Sequence, residues 1–290
     1  MDGMKRRVFG RPVYIQHERR IKLIVLKIGG DVYKEGLSES LIDDVKEAFL
    51  HGGIIIVHGG GDEVTEIAER LGKKQVFITS PSGIRSRYTD KETVEIYSMV
   101  MAGRINKLIV QRLISYGLPA VGLSGVDGPI LRASRKKRLL IIDERGRKRI
   151  IEGGYTGKIN EVNTKVLRIL LENGYLPVIA PIALGKENEL LNVDSDRVAA
   201  SIAGALKAES LIFLTDVKGV MIDGKYVERI PLREAESLIS TVGSGMDKKL
   251  LASTEALKNG VKKVVITSGF IKSPIKKAID QISGTVITVG

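Results

Sequence analysis

Short runs of branched apolar residues recur along this chain, separated by longer stretches patterned for amphipathic helices. The runs Ile24–Leu26, Ile54–Val57, Ala120–Leu123, Val178–Ala180, Leu211–Thr215 and Val264–Thr267 alternate with helical patterns around 38–51, 62–71, 91–115, 163–173, 194–207 and 248–259. That alternation predicts an α/β fold, with a mainly parallel open sheet carrying helices on both faces in a three-layer αβα sandwich. Ligands of such sheets bind beyond the carboxyl ends of the strands. Those ends are where the loops GGD, HGGG, LSGVDG, PIALG, TDVKG and TSG fall.

Two of these loops, KIGGD at Lys27 to Asp31 and HGGGD at His58 to Asp62, each close an apolar run and open a helical pattern. Glycine lets backbone approach an anion closely, and helix N-terminal amides supply partial positive charge. Two such turns on consecutive strands suggest two anions facing one another, a phosphoryl donor and an acidic acceptor. The alternation breaks between Arg132 and Arg149, where Leu139–Ile142 followed by a turn at Glu144 to Gly146 predicts a basic β-hairpin projecting from the sheet.

Composition removes several chemistries. With no cysteine in 290 residues, thiol catalysis, disulfides and thiolate metal sites are excluded, and three histidines make a His-based zinc site unexpected. No metal site is expected on the protein itself; any Mg2+ would arrive on a nucleotide. The net charge of +12 fits a polyanionic partner, a nucleotide ligand or a lysine-rich surface. The opening MDGMKRRVFGRP lacks the apolar stretch of a signal peptide and no run of about 18 apolar residues occurs, so a cytoplasmic protein with no membrane partner is expected. Residues 1–20 read as a basic N-terminal arm.

The loops occur in a telling order: Lys27-Ile-Gly-Gly, His58-Gly-Gly-Gly, Ser82-Gly-Ile-Arg85, Leu123-Ser-Gly-Val-Asp-Gly, Asn192-Val-Asp-Ser-Asp196, Thr215-Asp-Val-Lys-Gly-Val220 and Gly245-Met-Asp-Lys-Lys249. From about Lys22 to the C-terminus the chain thereby resembles the amino acid kinase family, in its acetylglutamate kinase branch. The resemblance implies one kinase domain over 21–290. An acceptor-binding N-lobe would span about 21–180 and a nucleotide-binding C-lobe about 181–290. It also implies a homodimer, and ATP with Mg2+ as the phosphoryl donor.

Phosphoryl transfer to a carboxylate needs little acid–base help, because the acceptor is already a nucleophile; it needs in-line positioning and cancellation of charge. The resemblance assigns Lys27 to the transferred group from the acceptor side, Lys249 to the donor and leaving side, and Asp196 to holding both lysines. The family spacing selects Lys249 over Lys248. The same resemblance places the reactive carboxylate on the amides of Gly60 and Gly61, with Arg85 and Asn192 holding the α-carboxylate and the acylated nitrogen. Gly29 and Gly30 would lie under the nucleotide phosphates, and Thr215, Asp216, Val217, Gly219 and Val220 would line the nucleotide. No GxxxxGK[ST] motif is present. Taken singly, Lys27 also fits a solvated strand-end lysine, Asp196 a first-turn acid with Asp194 as its rival, and Arg85 a surface arginine; His58 fits a structural hydrogen bond. Jointly they fit the family.

Gly153-Gly-Tyr-Thr-Gly-Lys-Ile159 departs from the sequence familiar in kinases of free N-acetylglutamate. GYTGKI resembles instead the branch acting on 2-aminoadipate or glutamate whose α-amino group is attached to a small acidic carrier protein. The basic hairpin lies immediately before it, and Arg135, Lys136, Lys137, Arg138 and Lys158 are the expected docking cations, although the same hairpin also fits a solvated lid. A rival acceptor is free N-acetylglutamate. A nucleic-acid-binding role is disfavoured by 4% aromatic residues and by the presence of both lysines and Asp196.

Overall fold

The computed structural model describes residues 23–81 and 83–290, together with the backbone of a short antiparallel strand pair, Arg6–Val8 with Arg11–Val13. The arm expected at 1–20, beyond that pairing, and Ser82 of the Ser82–Arg85 motif lie outside the described residues.

The frame is an eight-stranded sheet. From one edge to the other its strands are Arg229–Pro231, Thr285–Thr288, Lys263–Ser268, Ser210–Thr215, Ile24–Ile28, Ile54–His58, Leu176–Ala180 and Ala120–Ser124. The six from Lys263–Ser268 onward are parallel, and the first two run against them. Strand residues alternate between two cores because side chains alternate across a strand. Ile24, Leu26, Ile54, Ile56, Ile212 and Leu214 pack on one side with the helices Glu39–His51 and Asn106–Ser115. Val25, Ile55, Val57, Leu211 and Phe213 pack on the other with Ser195–Leu206 and Met246–Lys258. Both faces are therefore covered, as the continuous apolar runs require.

Following the chain, Ile54–His58 is laid on one side of Ile24–Ile28 and Ser210–Thr215 on the other. The strand order reverses at Ile24–Ile28, which puts a crevice at its carboxyl end, where KIGG lies. The helix over 91–115 contains a π-helical segment, Met99–Ile105, between Lys91–Ser98 and Asn106–Ser115; such widened turns cluster at functional sites.

The basic hairpin differs from its expected outline. Leu131–Arg135 pairs with Gly157–Val162 in a separate sheet, so the hairpin proper is Arg138–Ile142 with Lys148–Glu152. Its turn is closed by Asp143, whose Oδ1 accepts from the amides of Arg145 and Arg147 at 3.0 and 2.9 Å. It also does not stand alone: Ile142 bridges to Thr79, stitching it to a second hairpin, Val76–Thr79 with Arg85–Tyr88. Together they form a four-stranded lid.

Candidate active site

Lys27 sits in an apolar strand, and strand alternation decides where it points. It shares a face with Val25, toward the helix Ser195–Leu206. There its Nζ lies 2.8 Å from Asp196 Oδ1, and Lys249 Nζ lies 3.5 Å from Asp196 Oδ2. Lys27 and Asp196 are each only 5% exposed. The two aspartates divide their work: Asp194 caps the helix, accepting from the amides of Asp196 and Arg197 at 3.1 Å, while Asp196 in the first turn bridges the lysines. Lys248 faces away from that bridge, 4.0 Å from Asp194. Burial alone would raise the Asp196 carboxyl, but Lys27 and Lys249 reverse this and hold it below the usual carboxylate range. An acid so held is an anionic anchor for two cations, unsuited to act as a base.

The two glycine turns meet. A Cβ built on Gly30 would lie 3.3 Å from both the Cα and the N of Gly60, so the turns approach backbone to backbone. Gly29 donates its amide to Leu214 O at 2.9 Å, joining the KIGG turn to the strand that leads into Thr215 and Asp216. Beyond it, Thr215 Oγ1 donates to Asp216 Oδ1 at 2.9 Å and Val220 N donates to Thr285 Oγ1 at 2.8 Å; Gly219 packs against the same threonine. Val217 is half-buried in this loop. Among the described residues no cluster of three or more His, Asp or Glu side chains is arranged to hold a metal ion.

On the other side of Gly60 opens a cleft of about 580 Å³. Gly60, Gly61, Arg85, Asn192, Lys136 and Lys158 all line it, so the structure gathers the residues expected at the acceptor. Asn192 is fixed by donating its Nδ2 to Thr89 Oγ1 at 3.0 Å and its amide to Tyr155 O at 2.9 Å. The guanidinium of Arg85 lies over the Phe77 ring at 4.5 Å.

The five cations expected to dock the carrier separate into three kinds. Lys136 and Lys158 are in the cleft wall, and Lys137 and Arg138 are exposed outside it. Arg135 is engaged internally: its Nε donates to Gly154 O at 2.5 Å and its guanidinium stacks 4.1 Å above Tyr155. The GYTGKI segment closes the neck below the lid, with Lys136 N donating to Thr156 O at 2.9 Å. A Cβ on Gly153 would fall 1.3 Å from Lys136 O, so only glycine fits that crossing.

Arg87 is the residue the sequence reading passed over. Its Nη2 donates to Gly61 O at 2.7 Å and to Thr65 Oγ1 at 2.9 Å, tying the lid to the HGGG turn. The signal was present, since Arg85 and Arg87 two apart share a strand face. His58 takes the structural role expected of it. It is fully buried, with Nδ1 3.0 Å from Gly59 O, and burial pushes its pKa down to about 4. The unfolded chain therefore binds a proton at this residue below about pH 6.5, and the folded one only near pH 4. Stability should accordingly rise with pH across that window, by up to about 3 kcal/mol. Chemical denaturation from pH 4.5 to 7.5 should show this slope in the wild type, reduced in His58→Asn.

A family model described as the amino acid kinase family matches residues 22–268. The chain belongs to the amino acid kinase family. It is 48% identical over 269 residues to a LysW-aminoadipate/LysW-glutamate kinase of Saccharolobus islandicus, covering 92% of this chain and all of that one. It is 54% identical over 268 residues to a Cenarchaeum symbiosum protein given the same name provisionally, again over 92% of this chain and all of that one. Among solved structures, smu.665 from Streptococcus mutans superposes with a TM-score of 0.74 at 26% identity, over 92% of this chain and 99% of that one. The Neisseria gonorrhoeae N-acetylglutamate synthase, solved with coenzyme A and N-acetylglutamate, gives 0.76 at 24% identity over 93% of this chain and 60% of that one. Among the described residues no helix is long and apolar enough to cross a membrane.

Proposed function

We propose that this kinase transfers the γ-phosphoryl group of ATP to the side-chain carboxylate of L-2-aminoadipate, L-glutamate or both, each carried through its α-amino group on a small acidic protein. The observation that carries the reading is the buried Lys27–Asp196–Lys249 bridge set beside two glycine turns in backbone contact. An acceptor oxygen held by the Gly60 and Gly61 amides attacks the γ-phosphorus, the bond to the bridging oxygen breaks, and ADP leaves with its electrons. The products are an acyl phosphate, as lysine and arginine biosynthesis requires, and ADP. Lys27 cancels charge on the transferred group and Lys249 on the leaving side, while Asp196 keeps both cations in register.

In this reading the acceptor occupies the lobe of about residues 21–180, with Arg85 and Asn192 holding it. The nucleotide occupies the lobe of about 181–290, along Thr215, Asp216, Val217, Gly219 and Val220, its phosphates over Gly29 and Gly30. Mg2+ would ride on those phosphates, as a cation that keeps most of its ligands from water and substrate phosphate does. The carrier supports itself on the cleft's basic wall, to which Lys136 and Lys158 contribute. We place the enzyme in the cytoplasm as a homodimer, for which exposed Met99, Leu108 and Ile114 on the long helix offer apolar surface.

Coupled ADP-release assays with carrier-linked aminoadipate, carrier-linked glutamate and free N-acetylglutamate test the assignment. Turnover is expected with the linked acceptors; saturation by free N-acetylglutamate with no gain from the carrier would overturn it. Lys137→Ser with Arg138→Ser, outside the cleft, should raise KM for the carrier about tenfold at low salt. The difference should shrink as salt screens the surface, and a free acyl analogue should be turned over unchanged.

A further inference from the structure

We propose that His58 is a positioning residue that aims the Gly60 amide at the acceptor by pinning the peptide plane between Gly59 and Gly60. The inference rests on the acceptor role just given to Gly60.

A glycine-glycine peptide is free to flip, because neither flanking residue has a Cβ to oppose it. In a planar trans peptide the carbonyl and the next N–H point in opposite directions, so whatever fixes Gly59 O also fixes Gly60 N–H. The His58 Nδ1 does this at 3.0 Å. Gly59 O is an acceptor only, so Nδ1 carries the proton and Nε2 is left as a lone pair. That lone pair faces the Asn106 amide nitrogen at 3.3 Å. The amide is itself oriented, since its Nδ2 donates to Val178 O at 2.9 Å and its Oδ1 accepts from Lys107 Nζ at 3.1 Å. Lys107 completes the chain by donating to Gly122 O at 2.9 Å. The two Asn106 Nδ2 hydrogens are shared among Val178 O, Leu123 O at 3.3 Å and the His58 lone pair. The other His58 tautomer would set Nε2–H against that amide and leave Gly59 O without its donor, and a flipped ring would put carbon at both positions.

The Gly60 N–H consequently points away from the Gly59 carbonyl and its His58 partner. Among the described residues that N–H meets no protein acceptor, whereas the Gly59 amide is taken by Ile28 O at 2.8 Å and Gly60 O accepts from Val64 N at 3.2 Å. The Gly60 N–H is thus an aimed and unspent donor. The anchor is shared with the π segment, since Asn106 directly follows Met99–Ile105, whose Met101 and Ile105 back Gly60.

Three variants separate aiming from mere packing. His58→Asn keeps an N–H at the position of Nδ1, His58→Gln moves it one bond outward to that of Nε2, and His58→Leu removes it. The wild type is first assayed with free and carrier-linked acceptors, and the variants use whichever it turns over. The kinase reading fails if neither is phosphorylated; the positioning role is then read from the Gly60 amide alone, by 15N NMR. We expect His58→Leu to lose about 100-fold in kcat/KM for the acceptor, with KM for ATP within about twofold. His58→Asn should recover most of it and His58→Gln little. The Gly60 amide resonance in His58→Asn should match the wild type, and in His58→Gln it should not. Should His58→Leu fail to fold, the Asn and Gln variants decide the question. Equal impairment of Asn and Gln, a loss carried by KM for ATP, or a Gly60 amide indifferent to all three substitutions overturns the proposal.

Discussion

Lys27→Met is expected to lower kcat by about 10³-fold, the scale of losing a preorganised charge from a phosphoryl-transfer site. Methionine preserves the apolar stem of the side chain in its buried strand while the ammonium is lost. The substitution also leaves Asp196 with Lys249 alone, at 3.5 Å, in a site where the aspartate is 5% exposed. Removing one partner of a buried ion pair costs about 3–5 kcal/mol, whereas removing both together is far milder. Lys27→Met should therefore melt earlier, and Lys27→Met with Asp196→Asn should regain much of that stability without regaining turnover. The measurement is kcat below each variant's melting temperature. Turnover within tenfold of wild type for either would strip Lys27 of its catalytic assignment. A double variant as unstable as the single one would show that the bridge is not what makes the lysine structurally important.

The sheet was legible because its strands are covered on both sides. A run such as Ile54–Val57 has no polar face, and the same property sets the parity that carries Lys27 to the Ser195 helix. The helices were legible from their periodicity, and their starts were marked by caps such as Asp194 and Ser38. What escaped was polar and edge structure. Val76–Thr79 and Arg85–Tyr88 flank the stretch Ser80–Ile84, rich in serine, proline and glycine, and read as loop; with them went the lid and Arg87. The outer strands Arg229–Pro231 and Thr285–Thr288 are short and sit at the reversed edge. The π segment has the composition of ordinary helix, so no residue type announces it. Motif spacing brought the acceptor residues together on the page, but not the internal engagement of Arg135, which depends on where Tyr155 and Gly154 come to rest.

That π segment makes Gly60 the most constrained position in the acceptor turn. Its φ is +141°, a backbone region that side-chain-bearing residues rarely enter, and a Cβ there would come within 2.2 Å of Ile105 Cδ1. Gly60→Ala must either push Ile105 out of a fully buried site or rotate the peptide, and rotation moves the amide meant for the acceptor oxygen. A loss of about 10²–10³-fold in kcat/KM for the acceptor is expected, since a shift near 1 Å in a positioning group costs on that order. Nucleotide affinity, measured by calorimetry with a non-hydrolysable ATP analogue, should change little because Gly29 is held by Leu214 on the far side of the junction. Pairing Gly60→Ala with Ile105→Ala removes the collision but not the backbone strain, worth about 1–3 kcal/mol. The pair should therefore recover only part of the activity. Full recovery would mean that Ile105 alone sets the glycine requirement, and that the strained backbone does not aim the amide.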